Sequence, residues 1–200
     1  MCLSSFAVGY YAFVDAALDV SICSPLGGPA PIVPGSERDA ADETVRRFYQ
    51  DPTAREEFSD GLMLSQVCAG DFSAVYYPDG AGALWDLAHD RDSQALLWRM
   101  HELQRPCALV GYGTAALLSV QGPDSVPLVA GRSLTAPDRA ADDGFPEDAP
   151  SLLQEFAARG ALCVAGEDAG PFMVQSGGLI TGRDAGASAL VAQAMIASAC

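Results

Sequence analysis

Apolar residues recur along this chain in two rhythms. Phe6, Tyr10 and Phe13 fall three and four positions apart, the spacing of one helical face, and predict a helix over residues 6–17 with an aromatic stripe turned to the core. The second rhythm is the short continuous run. Residues 19–24 read as a strand, and they end in Pro25-Leu-Gly-Gly-Pro-Ala-Pro-Ile-Val-Pro34, a stiff loop that suits neither a helix nor a central strand. Acid-rich stretches at 40–49 and 53–58 return to helical character, with carboxylates placed where a helix start favours negative charge.

The same alternation is clearest in the middle of the chain. Residues 74–77 form an apolar, β-prone run that breaks at Pro78-Asp79-Gly80-Ala81-Gly82. A polar helix is expected over 92–104, then a second run, Cys107-Ala-Leu-Val110, which breaks at Gly111-Tyr112-Gly113 into an Ala/Leu helix. Beyond it, 128–131 and 133–135 read as short strands, 136–149 as a loop and 152–159 as a helix stopped by Gly160. Residues 161–165 suit a strand. Residues 172–175 and 179–181 flank Ser176-Gly177-Gly178, a hairpin signal, and an Ala-rich helix closes the chain over 186–199. Strand, glycine turn and helix in repeated order predict an α/β fold with a mainly parallel sheet, whose ligands collect where strands end and helices begin. The turn at Gly111 has the form of a nucleophile elbow, a sharp strand-to-helix bend that lifts one side chain above the sheet. The lifted position is a glycine, which has none to lift.

Two hundred residues, half of them hydrophobic, suit one domain over 1–200 with a sizeable core, and neither a repeat nor a linker divides them. The 11 basic residues are all arginine and stand against 26 acidic ones, for a net charge of −15. That balance excludes nucleic acid as a partner, since no basic patch exists to release counterions. The absence of lysine excludes Schiff-base chemistry. No apolar run approaches a membrane span, and the first residues lack the pattern of a signal peptide, so a cytoplasmic protein is expected. The six cysteines contain no C-x-x-C pair, and neither His89 nor His101 is near one in sequence, which argues against a metal site. Cys23, Cys107 and Cys163 lie in apolar runs and read as buried, inert thiols.

Four blocks carry a resemblance. They are Phe13-Val-Asp-Ala-Ala-Leu-Asp-Val-Ser-Ile-Cys-Ser-Pro-Leu-Gly-Gly, Tyr76-Tyr-Pro-Asp-Gly-Ala-Gly-Ala-Leu-Trp-Asp-Leu87, Pro106-Cys-Ala-Leu-Val-Gly-Tyr-Gly-Thr-Ala-Ala-Leu117 and Gly178-Leu-Ile-Thr-Gly182. In this order they resemble the ThiJ/PfpI superfamily, also called class I glutamine-amidotransferase-like. The nearest branch holds glyoxalase III-type enzymes and a stress-induced holding chaperone. The resemblance runs from about residue 6 to the end. It implies a flavodoxin-like three-layer α/β/α sandwich, a homodimer, and a small-molecule pocket at the elbow. Enzymes of the family act there on small reactive carbonyls such as methylglyoxal, without a cofactor. They use a cysteine followed by histidine, an acid from the first helix and another from a later loop.

This chain departs from that pattern at its chemical positions. The cysteine falls on Gly111, the histidine on Tyr112, the first-helix acid near Ser4 or Ser5, and a turn histidine on Ala81. The later-loop acid corresponds to Asp142 or Asp143, and the family's first strand has no counterpart before residue 6. The candidate catalytic residues are therefore Tyr112, whose phenol can donate a proton or simply fill space, and Asp79, which is a general base or an ordinary Asp-Gly turn residue. Gly80, Gly82, Trp85, Gly111, Gly113, Thr114 and Asp142 are the candidate substrate-binding positions. The expected function is a repurposed pocket or a pseudoenzyme that has lost the Cys-His reaction, with a dehydration, isomerisation or cyclisation as the chemistry a recycled site would suit. Metabolism of reactive carbonyls, glyoxalase III-like or deglycase-like, is one alternative and a holding chaperone the other.

Overall fold

The buried runs that precede the glycine turns pair with one another and fix the rest. In a computed structural model that describes residues 1–36, 43–138, 151–166 and 170–199, the strands are β1 (Cys23–Ser24), β2 (Leu62–Met63), β3 (Val75–Tyr77), β4 (Cys107–Val110), β5 (Ser133–Leu134), β6 (Leu162–Cys163), β7 (Met173–Ser176) and β8 (Leu179–Gly182). The helices are α1 (Leu3–Asp15), α2 (Glu43–Gln50), α3 (Pro52–Ser59), α4 (Arg91–Glu102), α5 (Leu152–Ala158) and α6 (Ser188–Ala199). The main sheet has the order β3-β4-β8-β7. Its first three strands are parallel, with Val75 opposite Cys107 and Cys107 opposite Leu179, while β7 returns antiparallel to β8 as the expected hairpin. β1 pairs with β2, and β5 with β6, as two short parallel ribbons. The Thr135 N–H donates to Thr181 Oγ1 at 2.9 Å and ties the second ribbon to β8.

Strand alternation sorts β4 onto two faces. Cys107 and Leu109 point into a cluster with Leu97 and Met100 of α4 and Leu152 and Phe156 of α5. Ala108 and Val110 face the opposite way, and with Ile180 they pack on Val191, Ala192 and Met195 of α6 and Phe13 of α1. All four β4 residues are buried. A strand covered on both faces reads as a continuous apolar run, as this one does. The result is a three-layer α/β/α sandwich of flavodoxin-like type. The aromatic stripe of α1 is buried as expected. Phe6 stacks on Tyr10 and meets the edges of Phe48 in α2 and Phe58 in α3 at 5.9 and 5.4 Å. Each such ring removed from water contributes on the order of 2 kcal/mol.

Helix boundaries follow local chemistry. Asp51 accepts the Thr53 and Ala54 N–H groups ahead of Pro52, Asp90 accepts Ser93 N–H, and Ser151 accepts Gln154 N–H. Three expectations change. Residues 128–131 form a turn, not a strand. The segment after β4 is not an α-helix but tight 3₁₀ turns over Gly111–Leu117. β1 and β6 are two residues long where six and five were expected, β5 two where three were expected, and β2 was not expected, because only two residues on each find a ladder partner. Among the described residues, no helix is long and apolar enough to cross a membrane.

Candidate functional site

β3 and β4 end side by side, and the turns that leave them face one another. Gly111 opens the second turn with φ +52°, the left-handed region that a strand-to-helix elbow requires and that side-chain-bearing residues enter at a cost. A Cβ added to Gly111 would land on the carboxyl group of Asp79. The place above the elbow is therefore filled from the facing loop. Asp79 Oδ1 accepts the Tyr112 N–H at 2.7 Å, the amide that an elbow otherwise presents to a ligand. Gly113 locks the arrangement: a Cβ there would lie 2.5 Å from the Pro78 carbonyl oxygen and 2.9 Å from that of Tyr77. Thr114 is buried and donates its hydroxyl to the Gly111 carbonyl at 2.7 Å.

Asp79 is held from behind as well. Its N–H donates to Ser5 Oγ at 2.9 Å, and its carbonyl accepts the Cys2 N–H at 2.7 Å. The hydroxyls of Ser5 and Ser188 are hydrogen-bonded at 2.8 Å, and both residues are buried. Tyr76 donates its hydroxyl to the Ser5 carbonyl at 3.1 Å. Burial pushes the Asp79 carboxyl above the usual carboxylate range. The amides of Tyr112 and Gly80 and the Met1 ammonium pull it down, and Asp184 pushes it up.

The sequence-derived site residues divide accordingly. Asp79, Gly111 and the backbone of Tyr112 meet at one point. The Tyr112 side chain turns inward, into the cluster with Leu109, Leu134 and Leu152, and burial and Asp79 raise its phenol. Its hydroxyl is enclosed by protein. Gly80 is buried beneath Met1, and Gly82 is exposed. Trp85 stands 60% exposed after the turn. Asp86 serves its own turn, its carboxylate accepting the Leu87 N–H. Asp142 and Asp143 lie outside the described residues. Of the two serines near the place of the first-helix acid, it is Ser5 that touches Asp79.

Of the thiols, Cys2 lies beside this point, its N–H on the Asp79 carbonyl and its Sγ 3.2 Å from Ser4 Oγ. Cys107 is buried, and burial pushes it up to about 12. Cys163 is half-buried, while Cys23 is exposed, contrary to expectation. His89 is exposed, and His101 faces Arg132 at 3.1 Å on the far side of α4. Among the described residues, no three His, Cys, Asp or Glu side chains cluster as metal ligands do.

No family model and no curated protein sequence matches this chain. Solved structures do. Rapid Encystment Protein 24 KDa from Francisella tularensis superposes with a TM-score of 0.90 over 100% of this chain and 90% of that one, at 19% identity. This is the ThiJ/PfpI fold. Glyoxalase III from Candida albicans gives 0.89 over 98% of this chain and 87% of its own, at 16% identity. A ThiJ/PfpI domain protein from Brachyspira murdochii gives 0.67 over 98% and 87%, at 17% identity. Within the ThiJ/PfpI fold, the residues that sequence reasoning missed are Ser188, Asp184 and Tyr76. Ser188 and Tyr76 hydrogen-bond Ser5, and Asp184 opens the turn that carries Ser188. No motif marks them, because hydroxyls and a turn aspartate are ordinary at helix starts.

Proposed function

We propose that this chain is a ThiJ/PfpI-type protein whose elbow carries a carboxyl group in place of a thiol. Its pocket would bind a small polar molecule and move a proton on it by way of Asp79. The observation that carries this reading is the position of the Asp79 carboxyl over Gly111, with the elbow amide as its partner. A carboxylate raised by burial is a better proton carrier near neutral pH than an ordinary one. It is a poor replacement for a thiolate in attack on an aldehyde. The reaction class that fits is proton transfer next to a carbonyl or hydroxyl: isomerisation, dehydration or ring closure. Tyr112 contributes its N–H, while its enclosed phenol supports the ring packing and not the chemistry.

The test uses small α-hydroxycarbonyl and dicarbonyl compounds, followed by NMR in deuterated water. Solvent deuterium should enter the carbon next to the carbonyl, and Asp79→Asn should abolish the exchange while iodoacetamide leaves it intact. Exchange that survives Asp79→Asn would refute the reading. The second reading, metabolism of reactive carbonyls, has the structural likeness to glyoxalase III in its favour. It requires methylglyoxal to become lactate in a thiol-sensitive reaction, which the same samples report.

A further inference from the structure

The backbone of Asp79 is pinned on both sides of its side chain. The peptide leading into it carries the Pro78 carbonyl, which lies so close to Gly113 that a Cβ there would stand 2.5 Å from the oxygen. The N–H of the same peptide donates to Ser5 Oγ at 2.9 Å. The peptide leaving Asp79 is held by the Cys2 N–H, which donates to the Asp79 carbonyl at 2.7 Å. Peptides are planar, so fixing both planes fixes the direction of the Cα–Cβ bond between them. That direction carries the carboxyl over Gly111 and onto the Tyr112 N–H at 2.7 Å.

Cys2 and Tyr112 hold Asp79 with backbone groups, whereas Ser5 holds it with a side chain. Ser5 lies in α1 and is fully buried, and its Oγ also accepts the Ser188 hydroxyl at 2.8 Å. Ser188 is the first residue of α6, equally buried, and its hydroxyl also reaches the Ala185 carbonyl at 2.7 Å. Ser5 Oγ thus receives two donors, one from the turn after β3 and one from the start of α6. Its bond to Asp79 is to an amide, which keeps its proton, so the contact orients the residue and relays nothing. We infer that Ser5 is the positioning residue of the elbow site: from α1, with Ser188 behind it, it grips the Asp79 peptide and keeps the carboxyl over Gly111. This rests on the reading of Asp79 as the proton carrier. A methyl group at position 5 would leave the Asp79 N–H facing a surface with no acceptor, and the turn would shift to find one.

Amide hydrogen exchange followed by NMR tests the grip without any substrate. In Ser5→Ala the Asp79 N–H should exchange about tenfold faster or more, while the Val75 N–H, which donates to the Pro106 carbonyl, keeps its rate. Ser188→Ala removes only the second donor. It should give an intermediate rate, and it covers the case in which Ser5→Ala folds poorly. Tyr76→Phe removes another hydroxyl from behind the turn, the one that donates to the Ser5 carbonyl, and should leave the Asp79 amide unchanged. An Asp79 amide as protected in the folded Ser5→Ala or Ser188→Ala variant as in the wild type overturns the inference. So does one that Tyr76→Phe exposes to the same degree. In the substrate assay, Ser5→Ala should slow deuterium entry about tenfold at saturating substrate with KM little changed, since the carboxyl is displaced and not removed. If Ser5→Ala frees the Asp79 amide but Asp79→Asn leaves deuterium entry intact, the grip stands and the proposed function falls.

Discussion

At the scale of single residues, Gly111 and Asp79 form a matched exchange. An elbow built around a side chain has room above it, and here the room holds a carboxyl group that arrives from the other turn. Putting a side chain back at Gly111 should therefore be costly for two separable reasons, the left-handed backbone and the collision with Asp79. Gly111→Cys alone should lower stability by about 2 kcal/mol or more. In an Asp79→Gly background the same change should cost less, with a coupling of about 1 kcal/mol in the double-mutant cycle. Additive effects, measured by urea unfolding, would mean that the two positions do not share the space.

Asp79 also sets a pH dependence whose sign is fixed by its environment. Its carboxyl titrates above the usual carboxylate range in the folded protein, chiefly through burial. The folded state therefore binds a proton that the unfolded chain releases, and the stability this gives is complete below the unfolded value of about 3.9. It is lost as pH rises through the folded value. Asp79→Asn keeps the acceptor for Tyr112 N–H and removes the titration. The variant should be more stable than the parent at pH 7, and the difference should shrink as both are taken toward pH 4. A gap in unfolding midpoints that stays constant with pH would show that the carboxyl titrates normally.

At the scale of elements, the fold was legible wherever one segment carried its own instructions. The β4 run announces a strand covered on both faces, the Phe6-Tyr10-Phe13 stripe announces α1, and Gly177-Gly178 announces the hairpin of β7 and β8. Elements that depend on a distant partner were not legible in extent. β1 and β6 are cut to two residues by the partners available to them, and the turns after Gly111 tighten because Gly113 must sit against the Tyr77 and Pro78 carbonyls. The site divides the same way. The loss of an elbow side chain can be read from one position, but its replacement by Asp79 needs two loops to be brought together.

The end of α1 gives a local test. Leu18 N–H donates to the Phe13 carbonyl and Ala17 N–H to that of Val14, a helix stop that places Ala17 at φ +58°. Glycine is the residue this position favours. Ala17→Gly should raise stability by about 1 kcal/mol, read as a higher denaturation midpoint with an unchanged slope. A loss of stability would show that the entropy of the unfolded chain outweighs the relief of strain.

At the scale of the molecule, charge is the largest influence outside the core. A net −15 over 200 residues repels itself, and arginine is too scarce to compensate. Among the described residues four ion pairs are present: Arg47–Asp15, Arg99–Glu102, Arg159–Glu155 and Arg183–Asp184. Three of the four lie on surfaces where such a pair adds well under about 1 kcal/mol, and the fourth fixes Asp184. Salt has opposite effects on the two kinds of interaction. It weakens the few attractions and screens the many repulsions, and with 26 acids against 11 arginines the repulsions are in excess. Raising sodium chloride from about 10 to about 150 mM, where the screening length falls to about 8 Å, should therefore raise the melting temperature. Neutralising exposed acids far from the site, for instance Glu56→Gln in α3 together with Asp60→Asn at its end, should raise it at low salt and have little effect at high salt. If added salt instead lowers the melting temperature, the attractions outweigh the repulsions, and the surface acids are arranged around the arginines more closely than these four pairs indicate.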